Sequence, residues 1–467
     1  MESVLPWKSF YVRRNRVRNR RWHPLVFYIN MKQEGELMDP AIITLCVLAV
    51  AAFLFITELI PLAVTAMAAC TALGILGVLP SKAVYAGLSN STVVLFGGMF
   101  VIGAAMFKTG LAEAIGVAVV KKAGTNEIPL MAAIMLVTIV LSAVSSNTGT
   151  VACLMPVIIG ICQAAKIPAS KELMPLAIAA NVGGTITMIG TPPNVIVTGA
   201  LSTAGLPSFG FFEFAWIGIP LSVIITLYTL FIGRHFIPAK SGGAMDEAAL
   251  KAAKEEAGAG GDAPKSKVRM WISGLILIGV VAAMALNLPT VPLHTAAVTG
   301  AILCVVTGCL KEKEAYAGID WVTIFLFAGM LSVAAAMEKT GAGKLIADSV
   351  VNMMGEKPNP YVLTAVLFLI SNVLTQFMSN TASAALLAPI GISIAQSIGA
   401  DPKPVLMALG IAASCAFATP MATPPNTLVL GPAGFSFNDY AKVGIPMCVL
   451  SLIICLAVIP LVWPFGM

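Results

Sequence analysis

The sequence is constrained above all by about ten apolar runs, each near the roughly 20 residues that a helix needs to cross a bilayer. They fall near 41–58, 60–79, 94–109, 173–200, 215–233, 271–287, 292–310, 321–337, 405–432 and 443–463, between charged or turn-rich breaks. Only 11% of the residues are charged, whereas about a quarter of a soluble domain is. Lipid is therefore the solvent for most of the surface, and the expected fold class is an all-α polytopic protein of the inner (plasma) membrane. The net charge of +6 is concentrated in an N-terminal run and one central loop, which makes it topology information rather than a nucleic-acid footprint. The nine cysteines lie in apolar segments without C-x-x-C spacing and the histidines are far apart, so neither a disulfide framework nor a zinc site is expected.

Two further apolar stretches, 129–164 and 361–397, are each interrupted midway by a polar segment containing Ser-Asn-Thr. A pair of short arms around a polar tip is expected to form a re-entrant hairpin. The polar, Ala/Gly-rich stretch 236–269 is expected to be a solvated cytoplasmic loop with a short helix. It separates two related halves. Ser-Asn-Thr occurs at 146 and 379, a spacing of 233, and Thr-Pro-Pro-Asn at 191 and 423, a spacing of 232. GGMFVIGAAMFKTG ending at Gly110 matches AGMLSVAAAMEKTG ending at Gly341 at a spacing of 231, as does Pro61-Leu62 with Pro292-Leu293. The expected organisation is a basic tail over 1–40, a first repeat over 41–235 and a second over 270–467. Each repeat holds about five crossings plus a hairpin, and an odd number inverts the second relative to the first.

Lysine and arginine set the orientation. One side of the crossings carries Lys121, Lys122, Lys166, Lys171, Arg234, Lys240, Lys251, Lys254, Arg269 and others; the other carries only Lys82, Lys339, Lys344, Lys357 and Lys403. The first side is expected to be cytoplasmic, with Asp39 outside. The tail, with Arg13, Arg14, Arg16, Arg18, Arg20 and Arg21, prefers the opposite placement. Either the natural chain starts at Met31 or Met38, or the basic segment lies on the membrane surface.

Polar residues inside apolar sequence mark where a solute can be held. Four clusters qualify: 141–150, 183–194, 375–384 and 418–426. In each Ser-Asn-Thr segment a cap followed by a new helix presents N–H groups and hydroxyls to an anion. In each Thr-Pro-Pro-Asn segment the prolines remove N–H donors and unwind the span near its middle, leaving carbonyl oxygens for a cation. Glu58 reads as a helix-end residue, His294 as interfacial, and Lys108 and Lys339 as matched helix-end anchors. No well-buried Asp, Glu or His is expected in the spans, which disfavours proton coupling.

On these paired motifs, over residues 41–465, the chain resembles the divalent anion/sodium symporter family (solute carrier family 13 and its bacterial relatives). The resemblance implies that Ser146, Asn147, Thr148, Thr191, Ser379, Asn380, Thr381 and Thr423 line a dicarboxylate site. It implies one sodium site from Ser142, Ser146, Asn147 and Gly190, and another from Thr375, the Met378 carbonyl, Asn380 and Ala422. It further implies a homodimer whose mobile domain carries the site past a fixed scaffold. The additional helix that many relatives have before the first repeat is not expected here.

The expected function is thus secondary active transport of succinate, malate or fumarate with Na+ as the coupling ion and no organic cofactor. The alternatives are sodium-independent exchange, or carriage of citrate or sulfate. No HExxH, GxSxG or His/Asp cluster lies in the spans, and GAGK at 341–344 lacks the spacing of a phosphate loop, so neither an enzyme nor an ATP-driven pump is expected. With the native cysteines replaced, a cysteine at Ala257 should label only from the cytoplasm and one at Ser208 only from outside. The opposite pattern would mean that the arginine-rich tail sets the topology.

Overall fold

Helices follow the apolar runs, and caps and glycines punctuate them. The computed structural model describes residues 39–124, 126–240, 250, 266–286, 290–354 and 359–466. Almost all of the expected basic tail and most of the expected loop over 236–269 lie outside the described residues.

In the first half α1 (Pro40–Thr57), α2 (Leu62–Ile75) and α3 (Ser91–Lys108) follow the first three runs. Then come α4 (Leu111–Ala123) and a helical hairpin of α5 (Glu127–Ser142) and α6 (Asn147–Ala165). A broken helix, α7 (Ser170–Gly183) and α8 (Pro192–Thr203), leads to α9 (Ala215–Phe231). The same order recurs with α10 (Lys267–Ala285), α11 (Leu293–Val306), α12 (Trp321–Thr340) and α13 (Ala342–Met354). The second hairpin is α14 (Pro360–Thr375) and α15 (Asn380–Ser397), the second broken helix α16 (Pro402–Ser414) and α17 (Pro424–Ala433), and α18 (Phe437–Val462) closes the chain. By length and composition α1, α3, α6, α10, α12 and α18 can each cross a bilayer.

Three expectations need correcting. Helices α4 and α13, 13 residues each, occupy stretches read as connections. At about 20 Å they are too short to cross alone, and each starts where Gly110 or Gly341 takes the left-handed conformation that ends the preceding helix. The hairpin arms run 16–19 residues, longer than short re-entrant arms. Lastly, the prolines of each Thr-Pro-Pro-Asn do not unwind a helix from within. They occupy the first turn of α8 and of α17, where a missing N–H is harmless, and the unwound chain lies before them, at 184–191 and 415–423.

The halves interlock. Helix α2 packs along α12, and α3 along α11. Both contacts depend on a glycine: a Cβ on Gly98 would lie 2.8 Å from the Ala297 carbonyl carbon, and one on Gly329 2.8 Å from that of Ala66. Without side chains there the backbones approach closely, as membrane helices do. Lys108 pairs with Glu314 at 3.3 Å, and Lys339 Nζ donates to the Val78 carbonyl at 3.1 Å. These matched lysines tie one half to the other rather than merely anchoring helix ends. The Gly98→Val and Gly329→Val variants should each lose about 1–3 kcal/mol through overpacking. That predicts a melting midpoint several degrees lower in detergent, and an unchanged midpoint would contradict this packing.

Candidate functional site

Each break starts at the end of a half-helix and is held by its own side chains. Asn194 Nδ2 donates to the carbonyls of Thr187 (2.9 Å) and Gly184 (3.4 Å). Asn426 Nδ2 does the same for Thr419 (2.9 Å) and Ala416 (3.0 Å). The Thr187 hydroxyl donates to the Ala143 carbonyl, and that of Thr419 to the Gln376 carbonyl at 2.5 Å. Each unwound loop is thereby fixed to the tip of its own hairpin. Closing helices back the loops: Gly218 in α9 and Gly444 in α18 leave room for Thr185–Ile186 and Phe417–Ala418, whose backbones a Cβ would meet within 2.7 Å.

Tips and breaks meet at a cavity of about 790 Å³. Ser146, Asn147 and Thr148 line it from the first tip, and Ser379, Asn380 and Thr381 from the second. Gly190 and Thr191 line it from the first break, Ala422 and Thr423 from the second, and Met378 from the turn before the second tip. Phe96, Met99 and Phe100 of α3 supply an apolar wall. Of the expected site residues, Ser142 and Thr375 do not reach the cavity; they lie fully buried behind the tips.

Those two buried hydroxyls organise two oxygen clusters. Ser142 Oγ donates to the Ala180 carbonyl (2.7 Å) and contacts the Asn147 amide. Thr375 Oγ1 lies 2.7 Å from the Ala413 carbonyl oxygen and 2.5 Å from Asn380 Oδ1, with one proton to donate between them. At Asn147 the amide oxygen faces other acceptors; turned over, its nitrogen would donate to Ala180 and Gly190 carbonyls at 3.1 Å each. Either the amide nitrogen, with its two hydrogens, donates among three neighbouring oxygens, or four oxygens converge. The converging set is the neutral, hard-oxygen environment that an alkali cation accepts. Space around it is limited, since a Cβ on Gly184 would lie 2.9 Å from the Asn147 amide and from the Gly190 carbonyl oxygen.

No lysine, arginine or histidine lines the cavity among the described residues; its charged lining residues are Glu58 and Asp320. Glu58 was expected as a helix-end residue. It does follow the last turn of α1, with its N–H bonded to the Leu54 carbonyl at 2.9 Å, but its left-handed backbone (φ 49°) also places it on the cavity lining. Asp320 caps α12 through the Thr323 N–H at 3.0 Å.

Buried asparagines and a glutamine were not singled out from the sequence. Asn194 and Asn426 are the last residues of the repeated Thr-Pro-Pro-Asn, so the motif itself was their signal. Asn181 and Asn372 carry no motif and only their polarity in apolar runs marks them, whereas Gln376 lies in the polar cluster 375–384 without having been given a role there. A correction also applies to buried acids. Glu172, in the first turn of α7, is fully buried with neither oxygen hydrogen-bonded among the described residues, and Asp439 in α18 pairs with Lys240 at 2.6 Å. Neither lines the cavity.

Two helical hairpins and two broken helices around one polar cavity, in a bundle of apolar helices, define a multi-pass membrane transport protein. The chain belongs to the citrate transporter family (CitMHS), whose family model matches residues 52–402 and 381–465. It is 30% identical over 441 residues to an uncharacterized transporter of Haemophilus influenzae, covering 89% of each chain. It is 26% identical to the sodium-dependent dicarboxylate transporter SdcS of Staphylococcus saprophyticus, over 93% of this chain and 89% of that protein. Its fold resembles the Alcanivorax borkumensis YdaH transporter (TM-score 0.62, 16% identity, 89% of this chain and 100% of that one). Neisseria gonorrhoeae MtrF gives a TM-score of 0.60 at 15% identity, over 94% and 98% of the two chains. Family and fold neighbours alike are transporters, not enzymes.

Asn147 and Asn380 each face both the cavity and an oxygen cluster. Replacing either by alanine removes an amide from both the cavity wall and its oxygen cluster, while Ser142 and Thr375 keep the Ala180 and Ala413 carbonyls as partners. Asn147→Ala and Asn380→Ala should therefore abolish uptake into proteoliposomes while the purified protein keeps its elution profile. Near-normal uptake in both variants would remove these residues from the site.

Proposed function

We infer that the chain is a secondary carrier that moves small dicarboxylates, of the succinate, malate and fumarate class, together with sodium. The observation that carries this reading is electrostatic. Among the described residues the cavity offers hydroxyl and amide groups but no cationic side chain, and it carries two carboxylates, Glu58 and Asp320. A dianion entering such a place leaves water without a compensating charge, which is prohibitive in a low-dielectric interior. Positive charge must come with it. The oxygen clusters at Asn147 and Asn380 flank the cavity and are suited to sodium, so cation binding precedes and permits anion binding. Relatives named as sodium-dependent dicarboxylate transporters support the same pairing.

Residues Ser146, Asn147, Thr148, Thr191, Ser379, Asn380, Thr381 and Thr423 hold the anion in this reading. Ser142, Ser146, Asn147 and Gly190 hold one sodium; Thr375, Met378, Asn380 and Ala422 hold the other. The two halves enter the membrane as inverted repeats. The hairpins and broken helices move as one body past a frame built from α2, α3, α11 and α12, in a homodimer, so the site is carried across in an elevator motion. A citrate substrate is the second reading, favoured by the description of the matching family and accommodated by the cavity volume.

Uptake of labelled succinate by reconstituted protein should require an inward sodium gradient and depend sigmoidally on sodium concentration. Gly184→Ala, which places a methyl group against the Asn147 cluster, should raise the sodium needed for half-maximal uptake by about ten-fold, a loss of about 1.4 kcal/mol. Uptake that is unchanged when choline replaces sodium, yet stimulated by unlabelled dicarboxylate inside, would identify an exchanger instead.

A further inference from the structure

The two halves treat their Thr-Pro-Pro-Asn threonines differently, and one buried amide makes the difference. Asn181, in α7 of the first half, is 1% exposed and reaches across to the second break. Its Nδ2 lies 3.2 Å from Thr423 Oγ1 and 3.0 Å from Asn426 Oδ1. The direction of these bonds follows from their neighbours. Asn426 Nδ2 is committed to the carbonyls of Ala416 and Thr419, so the atom that Asn426 turns toward Asn181 is its oxygen. Asn181 must answer with its nitrogen, whose two hydrogens serve Asn426 Oδ1 and Thr423 Oγ1. Thr423 Oγ1 is then an acceptor from Asn181, and its own proton is directed away.

Thr423 lines the cavity, and its hydroxyl donates to no other group among the described residues. In the second half the position matching Asn181, 232 residues further on, is Ala413. In the first half, among the described residues, Thr191 therefore has no side-chain partner and Asn194 Oδ1 is left unbonded.

We propose that Asn181 is a positioning residue that fixes the Thr423 hydroxyl as a hydrogen-bond donor to the carried anion, so that the two ends of the substrate meet unlike threonines. The proposal rests on the transport reading above. It makes Thr423 a pre-oriented donor whose rotation is already frozen before the anion arrives, whereas Thr191 must be ordered on binding.

The test is a double-mutant cycle on uptake kinetics in proteoliposomes, at saturating sodium, with whichever of succinate, citrate and sulfate the wild type takes up. Asn181→Ala and Thr423→Ala should each raise KM by about five- to ten-fold, the worth of one hydrogen bond, with the maximal rate changed less than two-fold. In the double variant KM should rise no further than in Thr423→Ala alone, because Asn181 acts through that hydroxyl. Asn181→Asp, matched in shape but able to present acceptors to Thr423, should be at least as impaired as Asn181→Ala, and it also serves if the alanine variant does not fold. Additive KM effects, an unchanged KM in Thr423→Ala, or a wild-type KM in Asn181→Asp would each overturn the assignment while leaving sodium-driven uptake standing. A wild-type protein that takes up none of the three anions would reject the transport reading and this assignment with it.

Discussion

Backbone groups that leave a helix inside an apolar bundle find no water, so each must be bonded by the protein itself. Two stretches face that demand here, 184–191 and 415–423. Much of the site is the answer to it. Asn194 and Asn426 each satisfy two carbonyls of their loop, and Thr187 and Thr419 fasten the loops to the hairpin tips. Ser142 and Thr375 take one carbonyl each from the last turns of α7 and α16. These bonds fix where the Gly190 carbonyl and the Asn147 and Asn380 amides stand around the cavity. The oxygens available to a ligand are therefore held by a frame that the chain needs for its own stability.

Much of this was legible because polar words are conspicuous in apolar sequence and because they recur in one register. The spacing of 231–233 identified matching elements; each hairpin tip lies at its repeated Ser-Asn-Thr, whereas each break lies before its Thr-Pro-Pro-Asn rather than within it. What stayed hidden depended on tertiary contact. Helices α4 and α13 are too short and too mixed in polarity to stand out as spans. The break at 184–191 is made of small and apolar residues, Gly184 to Gly190, that a hydropathy reading joins to the flanking helix. Its unwinding depends on Asn194 reaching back, which only the folded chain shows. Glu172 sat one residue before an expected span, and its burial follows from α7 packing against α5 and α6. The lysines at 108 and 339 looked alike, but their partners, Glu314 and the Val78 carbonyl, lie in the opposite half.

Equivalence of position does not bring equivalence of chemistry. Behind the second loop, Gln376 accepts from the Ala418 N–H at 2.9 Å, and Asn372 donates to the Cys415 and Ala412 carbonyls at 2.9 and 3.1 Å. The matching residues of the first half are Ala143 and Ile139, which have no side-chain polar groups to offer. There the loop has no such donors from its hairpin and, besides its own Asn194 and Thr187 bonds, is held by proximity. Gly184 and Gly190 approach so closely that a Cβ on Gly190 would meet the Gly184 carbonyl oxygen at 2.5 Å, whereas the second half carries Ala416 and Ala422 at those places. Beyond the asparagine and threonine bonds that both loops share, one loop is kept in shape by donors reaching it from the end of α14, the other by the close approach of Gly184 to Gly190. Two different vulnerabilities follow from one architecture. The first loop has no room for an added methyl group, because backbone faces backbone and nothing flexible can yield. The second accommodates methyl groups, but it depends on buried amides whose loss would strand carbonyls away from water.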